Sequence, residues 1–146
     1  MEPDPLPPAP QLTRHQAPIY VENSSNRHFQ IQVLHSLHGE FSGGHNIPNE
    51  DSGFILIPPG TQKYLMQVTY LTGFLYLGVD NWQVHGIELN GSGDPIRTWK
   101  CGHGVGAKWK VHSLRSEDDG KKTVVKILED TVEFISPSGT SSTSWN

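Results

Sequence analysis

At 146 residues the chain has room for one hydrophobic core, and a second domain is not expected. Fifteen glycines, eleven prolines and only 18% charged residues argue against a fold of long helices and favour short elements joined by tight turns. The net charge is −4; one cysteine (Cys101) and no run of 18 apolar residues exclude an intramolecular disulfide and a membrane-spanning helix. A lone cysteine fits a reducing compartment. Met1-Glu2-Pro3-Asp4-Pro5 has neither the basic start nor the apolar run of a secretory signal, so a cytoplasmic species is expected, with non-classical secretion left open.

Six prolines fall within the first eighteen residues, which reads as an extended arm over 1–17. From there the period is two. Ile19 to Glu22 enters a strand, and the cluster Asn23-Ser24-Ser25-Asn26 turns it. His28 to Leu34 then alternates with Phe29, Ile31 and Val33 on one face, so the pair is expected to form a hairpin. Phe54 to Ile57 is a strand stopped by Pro58-Pro59-Gly60, because successive prolines cannot donate to a ladder. Lys63–Tyr70, Gly73–Val79 and Gln83–Leu89 follow, each bounded by turn residues.

Lys108 to His112 puts Trp109 and Val111 on one face, read as the core face, and the Asp119-Gly120 signal predicts a hairpin into Thr123 to Leu128. A last strand covers Thr131 to Ile135. Residues 137–146, small and polar apart from Trp145, read as a flexible tail or final loop. The expected architecture is all-β: a single antiparallel β-sandwich of eight or nine short strands over 18–136.

Chemistry-bearing residues are plentiful but unclustered. Eight histidines include no His-x-His or His-Glu-x-x-His pair, so surface or capping roles are the default and no cofactor or metal is expected; His38, Glu40 and His45 are the set a loop would have to gather to bind one. Cys101, between Trp99-Lys100 and Gly102-His103, reads as a small buried hydrophobe sharing a strand face with Trp99 rather than as a nucleophile. Gly102-His103-Gly104-Val105-Gly106 precedes a strand, where a phosphate cradle needs a helix. Eight of the eleven Lys and Arg lie between Arg97 and Lys126, which suits either phosphate contact or a solvated face balanced by acids elsewhere; no nucleic-acid motif accompanies them, and no nucleic-acid partner is expected. Trp82, Trp99, Trp109, Trp145, Tyr64, Tyr70 and Tyr76 fall near strand ends, where aromatics suit bilayer interfaces and sugar rings.

Three segments carry a family resemblance. Val21-Glu22-Asn23-Ser24-Ser25 leads to Phe29-Gln30-Ile31-Gln32 and His38-Gly39-Glu40-Phe41. Ile57-Pro58-Pro59-Gly60 forms a Pro-Gly turn, and Ile96-Arg97-Thr98-Trp99-Lys100-Cys101 precedes Gly106 to Val111. In this order they resemble the aegerolysins, small acidic β-sandwich proteins, although His38 stands where that family has tryptophan and Gly102-His103 where it has Pro-Trp. The resemblance implies recognition of membrane sphingolipid, often with sterol, sometimes as the targeting component of a two-component cytolysin with a larger pore-forming protein partner. Position by position it implies His38, Phe41 and Trp99 as contacts; protonation of His38 below about pH 6.5 would then strengthen binding to anionic bilayers.

The expectation is therefore a non-enzymatic, peripheral membrane-binding protein whose ligand contacts are His38, Phe41, Tyr76, Trp82, Trp99, Lys100, Lys108 and Lys110. The alternative is a carbohydrate-binding lectin, with Trp82 or Trp99 stacked on a sugar and Asp80, Asn81, Asn90 or Asp94 accepting its hydroxyl protons. A histidine-dependent metalloenzyme is the third reading.

Overall fold

A computed structural model describes residues 12–38, 49–73, 79–101 and 109–146. These form eleven strands: β1 Thr13–Asn23, β2 His28–His38, β3 Glu50–Asp51, β4 Ile55–Ile57, β5 Gln62–Thr72, β6 Val79–Leu89, β7 Pro95–Lys100, β8 Lys110–Val111, β9 Thr123–Ile127, β10 Thr131–Ser136 and β11 Gly139–Ser144. Among the described residues the only helical element is one 3-10 turn, Ser116–Asp118. The expected Gly73–Val79 strand lies largely outside them.

The strands make two packed sheets. One has the order β11-β10-β9-β1-β5; the other runs β3-β2-β6-β7, with β4 also paired to β2 and β8 to β6. Pairing is antiparallel except between β1 and β9, which run parallel. Alternation explains which side each strand buries. Ala17, Ile19 and Val21 on β1 and Phe29, Ile31 and Val33 on β2 are fully buried, as are Val125 and Ile127 on β9 and Val132 and Phe134 on β10. The all-β sandwich expected from the sequence is thus the fold, with one parallel pair added.

Two expected hairpins are instead crossings between sheets. β1 pairs with β5 and β9, while β2 pairs with β3, β4 and β6, so the Asn-Ser cluster turns a corner of the sandwich. Asn23 builds that corner from inside. Its buried amide donates to the carbonyls of Arg27 (2.8 Å) and Ile57 (2.9 Å), and its Oδ1 accepts from the backbone and hydroxyl of Ser25 (3.0 and 2.6 Å). Likewise β8 belongs to β6 and β9 to β1, with the 3-10 turn between them. The faces near β8 are reversed from expectation: His112 is buried and Val111 is 48% exposed.

Both expected ends of the domain also move. β1 begins at Thr13, inside the supposed arm, because residues 13–17 pair with β5. The supposed tail is β11, paired along β10, and Trp145 is buried where it bridges to Cys101 on the opposite sheet.

β7 and β8 are two halves of one edge strand. Cys101 donates its amide to Val84, and Lys110 pairs with Trp82; an uninterrupted strand would place one residue between Cys101 and Lys110, but the sequence has eight. The edge beside β6 is therefore interrupted between Cys101 and Lys110, and the glycine-rich residues 102–108 lie outside the described residues.

Candidate functional site

The structure divides the residues singled out from sequence. Trp82 is fully buried: its Nε1 donates to the His112 carbonyl at 2.8 Å, and its ring meets His35 and Phe134. Trp99 is 5% exposed, donates to Glu88 Oε1 at 3.0 Å and carries the guanidinium groups of Arg27 (4.6 Å) and Arg97 (4.0 Å) over its ring. Both tryptophans are withdrawn from surface contact because their rings fill the interior and their N–H groups are already paired. Lys100 is exposed on β7, and Lys110 is half-buried opposite Trp82. His38 ends β2 opposite Val79. Phe41, Tyr76 and Lys108, with the side chain of His38, lie outside the described residues, as do Glu40 and His45.

The sugar-binding set does not assemble. Asp80 and Asn81 are buried near the start of β6, whereas Asn90 follows its end, roughly 30 Å away along the strand. Asn90 Oδ1 is also occupied by the amides of Ser92 and Asp94, both at 2.9 Å. The basic segment is split in the same way. Arg97, Lys100 and Lys110 lie on one sheet, while Lys126 on β9 of the other approaches Glu22 at 3.8 Å and Lys122 binds Gln62 and covers Tyr20. Cys101 is 7% exposed, and burial pushes its thiol up from its ordinary value, which disfavours the thiolate a nucleophile needs. Among the described residues no group of three potential ligands is placed to hold a metal ion.

What converges is one end of the sandwich. Thr13 pairs with Thr72 and His38 with Val79, so the start of β1, the end of β5, the end of β2 and the start of β6 meet there. The segments carrying Phe41 and Tyr76, 39–48 and 74–78, are rooted at this end. Beside these strand ends opens a cleft of about 660 Å³, lined chiefly by Thr13, Thr72, Asp80, Ser113, Arg115 and Glu117. Its wall is firmly built. Leu114 donates its amide to Asp80 Oδ2 (2.8 Å), Tyr70 donates its hydroxyl to the Arg115 carbonyl (2.8 Å), and fully buried Asp118 accepts from Arg115 N (2.7 Å) and from Ser138 N and Oγ (2.9 and 2.6 Å). Such a cleft is preformed and polar, lined by hydroxyls, the carboxylates of Asp80 and Glu117 and the one guanidinium of Arg115, which suits a polar group.

Under the cleft lies an arrangement the sequence did not announce. His35, with its side chain 1% exposed, sits between two carboxylates: Nδ1 is 2.7 Å from Glu50 Oε1, and Nε2 is 2.7 Å from Asp80 Oδ1. Glu50 also accepts the amide of Thr69 on the other sheet. These partners lie 15 and 45 residues from His35, so no local motif exists to find them.

A second buried histidine, His112, lies between the hydroxyls of Ser141 (2.7 Å) and Ser136 (2.8 Å). Burial, then Lys110, lowers its proton affinity below the ordinary value of 6.5, opposed by Asp118 and Asp80; His85 is lowered by burial, then by Lys100. Because the folded state binds these protons less readily than the unfolded chain, stability is present above 6.5 and is lost as pH falls through the lowered values. The expected result is a melting temperature that drops between pH 6.5 and 5, with a shallower drop in His112→Gln. An identical acid slope in that variant would exclude His112 as its source.

The chain matches the model of the family described as "Up-Regulated in long-lived daf-2" over residues 13–95 and 94–145. The chain belongs to that family. The two matched stretches meet at the start of β7, so together they span the described sandwich from β1 to Trp145. The family description names a change in expression, and comparison with curated proteins finds no match.

Proposed function

We propose that this protein is a non-catalytic recognition module that binds the headgroup region of sphingolipid membranes through the β2/β6 end of its sandwich, the function implied by its resemblance to the aegerolysins. The supporting observation is convergence: the roots of the segments holding Phe41 and Tyr76, together with His38, stand at one end beside a preformed polar cleft presenting Arg115. A rigid scaffold with variable connections at one end suits recognition, the aromatics inserting shallowly while guanidinium and hydroxyl groups meet the phosphate. Lys100 and Lys110, on the edge interrupted by Lys108's segment, add electrostatic attraction. Trp82 and Trp99 act as core supports for this surface rather than as contacts. A sterol requirement and a larger pore-forming partner belong to the same reading.

The hydroxyl-rich lining of the cleft favours a glycan as the second reading at the same end. Co-sedimentation separates the two. Vesicles containing sphingolipid, with and without sterol, are expected to retain the protein where phosphatidylcholine vesicles do not, and Phe41→Ala together with Tyr76→Ala to reduce retention at least about tenfold. Equal retention on both vesicle types, or loss of binding in simple sugars alone, would overturn the lipid reading.

A further inference from the structure

The Glu50–His35–Asp80 chain has a chemical requirement of its own. Both ring nitrogens lie 2.7 Å from carboxylate oxygens, and an ionised carboxylate only accepts. A neutral imidazole has one N–H, so one nitrogen would face an oxygen lone pair to lone pair; the doubly protonated ring satisfies both contacts. The carboxylates sit at the roots of two segments. Glu50 follows segment 39–48 by one residue and lies on β3, a strand only two residues long; Asp80 follows segment 74–78 by one residue.

We propose that Glu50, His35 and Asp80 form a charge-dependent clasp at the root of segments 39–48 and 74–78, closed while the imidazole carries two protons and loosened when it loses one. Glu50 from β3 and Asp80 from β6 are the charged groups that the described structure sets against the ring, and Trp82 packs on it at 4.4 Å. Burial pulls the imidazole's proton affinity down, but the hydrogen bonds to Asp80 and Glu50, and then their charges, carry it above 6.5. With the folded value above the unfolded one, the clasp's contribution is fully present below pH 6.5 and is lost as pH rises through the folded value. The two arms are unequal. Asp80's side chain is 4% exposed and tied to Leu114, while Glu50's is 20% exposed, so water replaces the Glu50 contact first and the Glu50 carboxylate loosens its hold on Thr69, while the backbone pairing of β3 with β2 remains. Control of ligand binding by this clasp rests on the function proposed above; the clasp itself does not.

Its test therefore uses the free protein. Nitrogen NMR of the His35 ring is expected to show both nitrogens protonated at pH 6.5 and a single titration above it. Through that titration, amide exchange at Thr69, corrected for intrinsic pH dependence, should accelerate at least about tenfold relative to Leu114, the equivalent of one pKa unit of lost interaction. In His35→Gln the Thr69-to-Leu114 exchange ratio should no longer change with pH. A neutral His35 tautomer at pH 6.5, or a ring that titrates while Thr69 exchange keeps pace with Leu114, overturns the proposal. Should the variant not fold, these wild-type measurements decide alone.

Discussion

Replacing Trp145 by alanine is expected to lower the unfolding free energy by about 3–5 kcal/mol. The ring is 1% exposed, stacked on Trp99 at 5.8 Å and edge-on to Phe29 at 5.6 Å. Space for it exists because Gly86 has no side chain: a Cβ there would lie 2.7 Å from Trp145 Cζ2. The backbone adds a second role. Lys100 donates its amide to the Asn146 carbonyl (2.9 Å) and Asn146 donates back (3.1 Å), so the end of β11 joins one sheet to β7 of the other. Trp145→Phe keeps an aromatic ring in the space that Gly86 leaves and should cost less than the alanine variant. Urea unfolding with an unchanged m-value reads both. A loss under about 0.5 kcal/mol for Trp145→Ala, the range of ordinary surface substitutions, would mean that the closure is not formed.

Asp80→Ala should cost a similar amount, about 3–5 kcal/mol, by a different route. Asp80 is 3% exposed and serves two donors, His35 Nε2 and the Leu114 amide. Removing the carboxylate leaves both unpaired in the interior, and a charged His35 keeps only Glu50. Asp80→Asn retains one carbonyl oxygen and should lose less. Since Leu114 anchors the cleft wall, the alanine variant should also raise amide exchange across residues 113–117. Denaturant unfolding with exchange mass spectrometry checks both expectations; an alanine variant within about 1 kcal/mol of the parent would show that the buried pair does not form.

The strands were legible where burial imposed alternation. Phe29, Ile31 and Val33 announced their face, and the Pro58-Pro59-Gly60 stop ended β4 where expected. Which strands pair was less legible, since a turn signal records that the chain reverses but not which sheet it joins. Asn23 makes the Asn-Ser corner through a contact with Ile57, 34 residues away. β11, composed of Gly, Thr and Ser, has no apolar period; as an edge strand it is held by backbone pairing to β10 and by Trp145 beyond its end. Asp80-Asn81 resembled a turn but lies inside β6, because His35 and the Leu114 amide compensate the carboxylate. The candidate site was legible as residue types suited to recognition, whereas the clasp and the cleft wall depend on partners distant in sequence.

On the proposed function, one end of this sandwich meets the ligand. Hydrogen-exchange mass spectrometry of the protein with and without sphingolipid vesicles tests it most directly. Protection confined to residues 39–48, 74–78 and 113–117 is the predicted result. Protection concentrated on the outer face of β9, β10 and β11, with none at those segments, would contradict it.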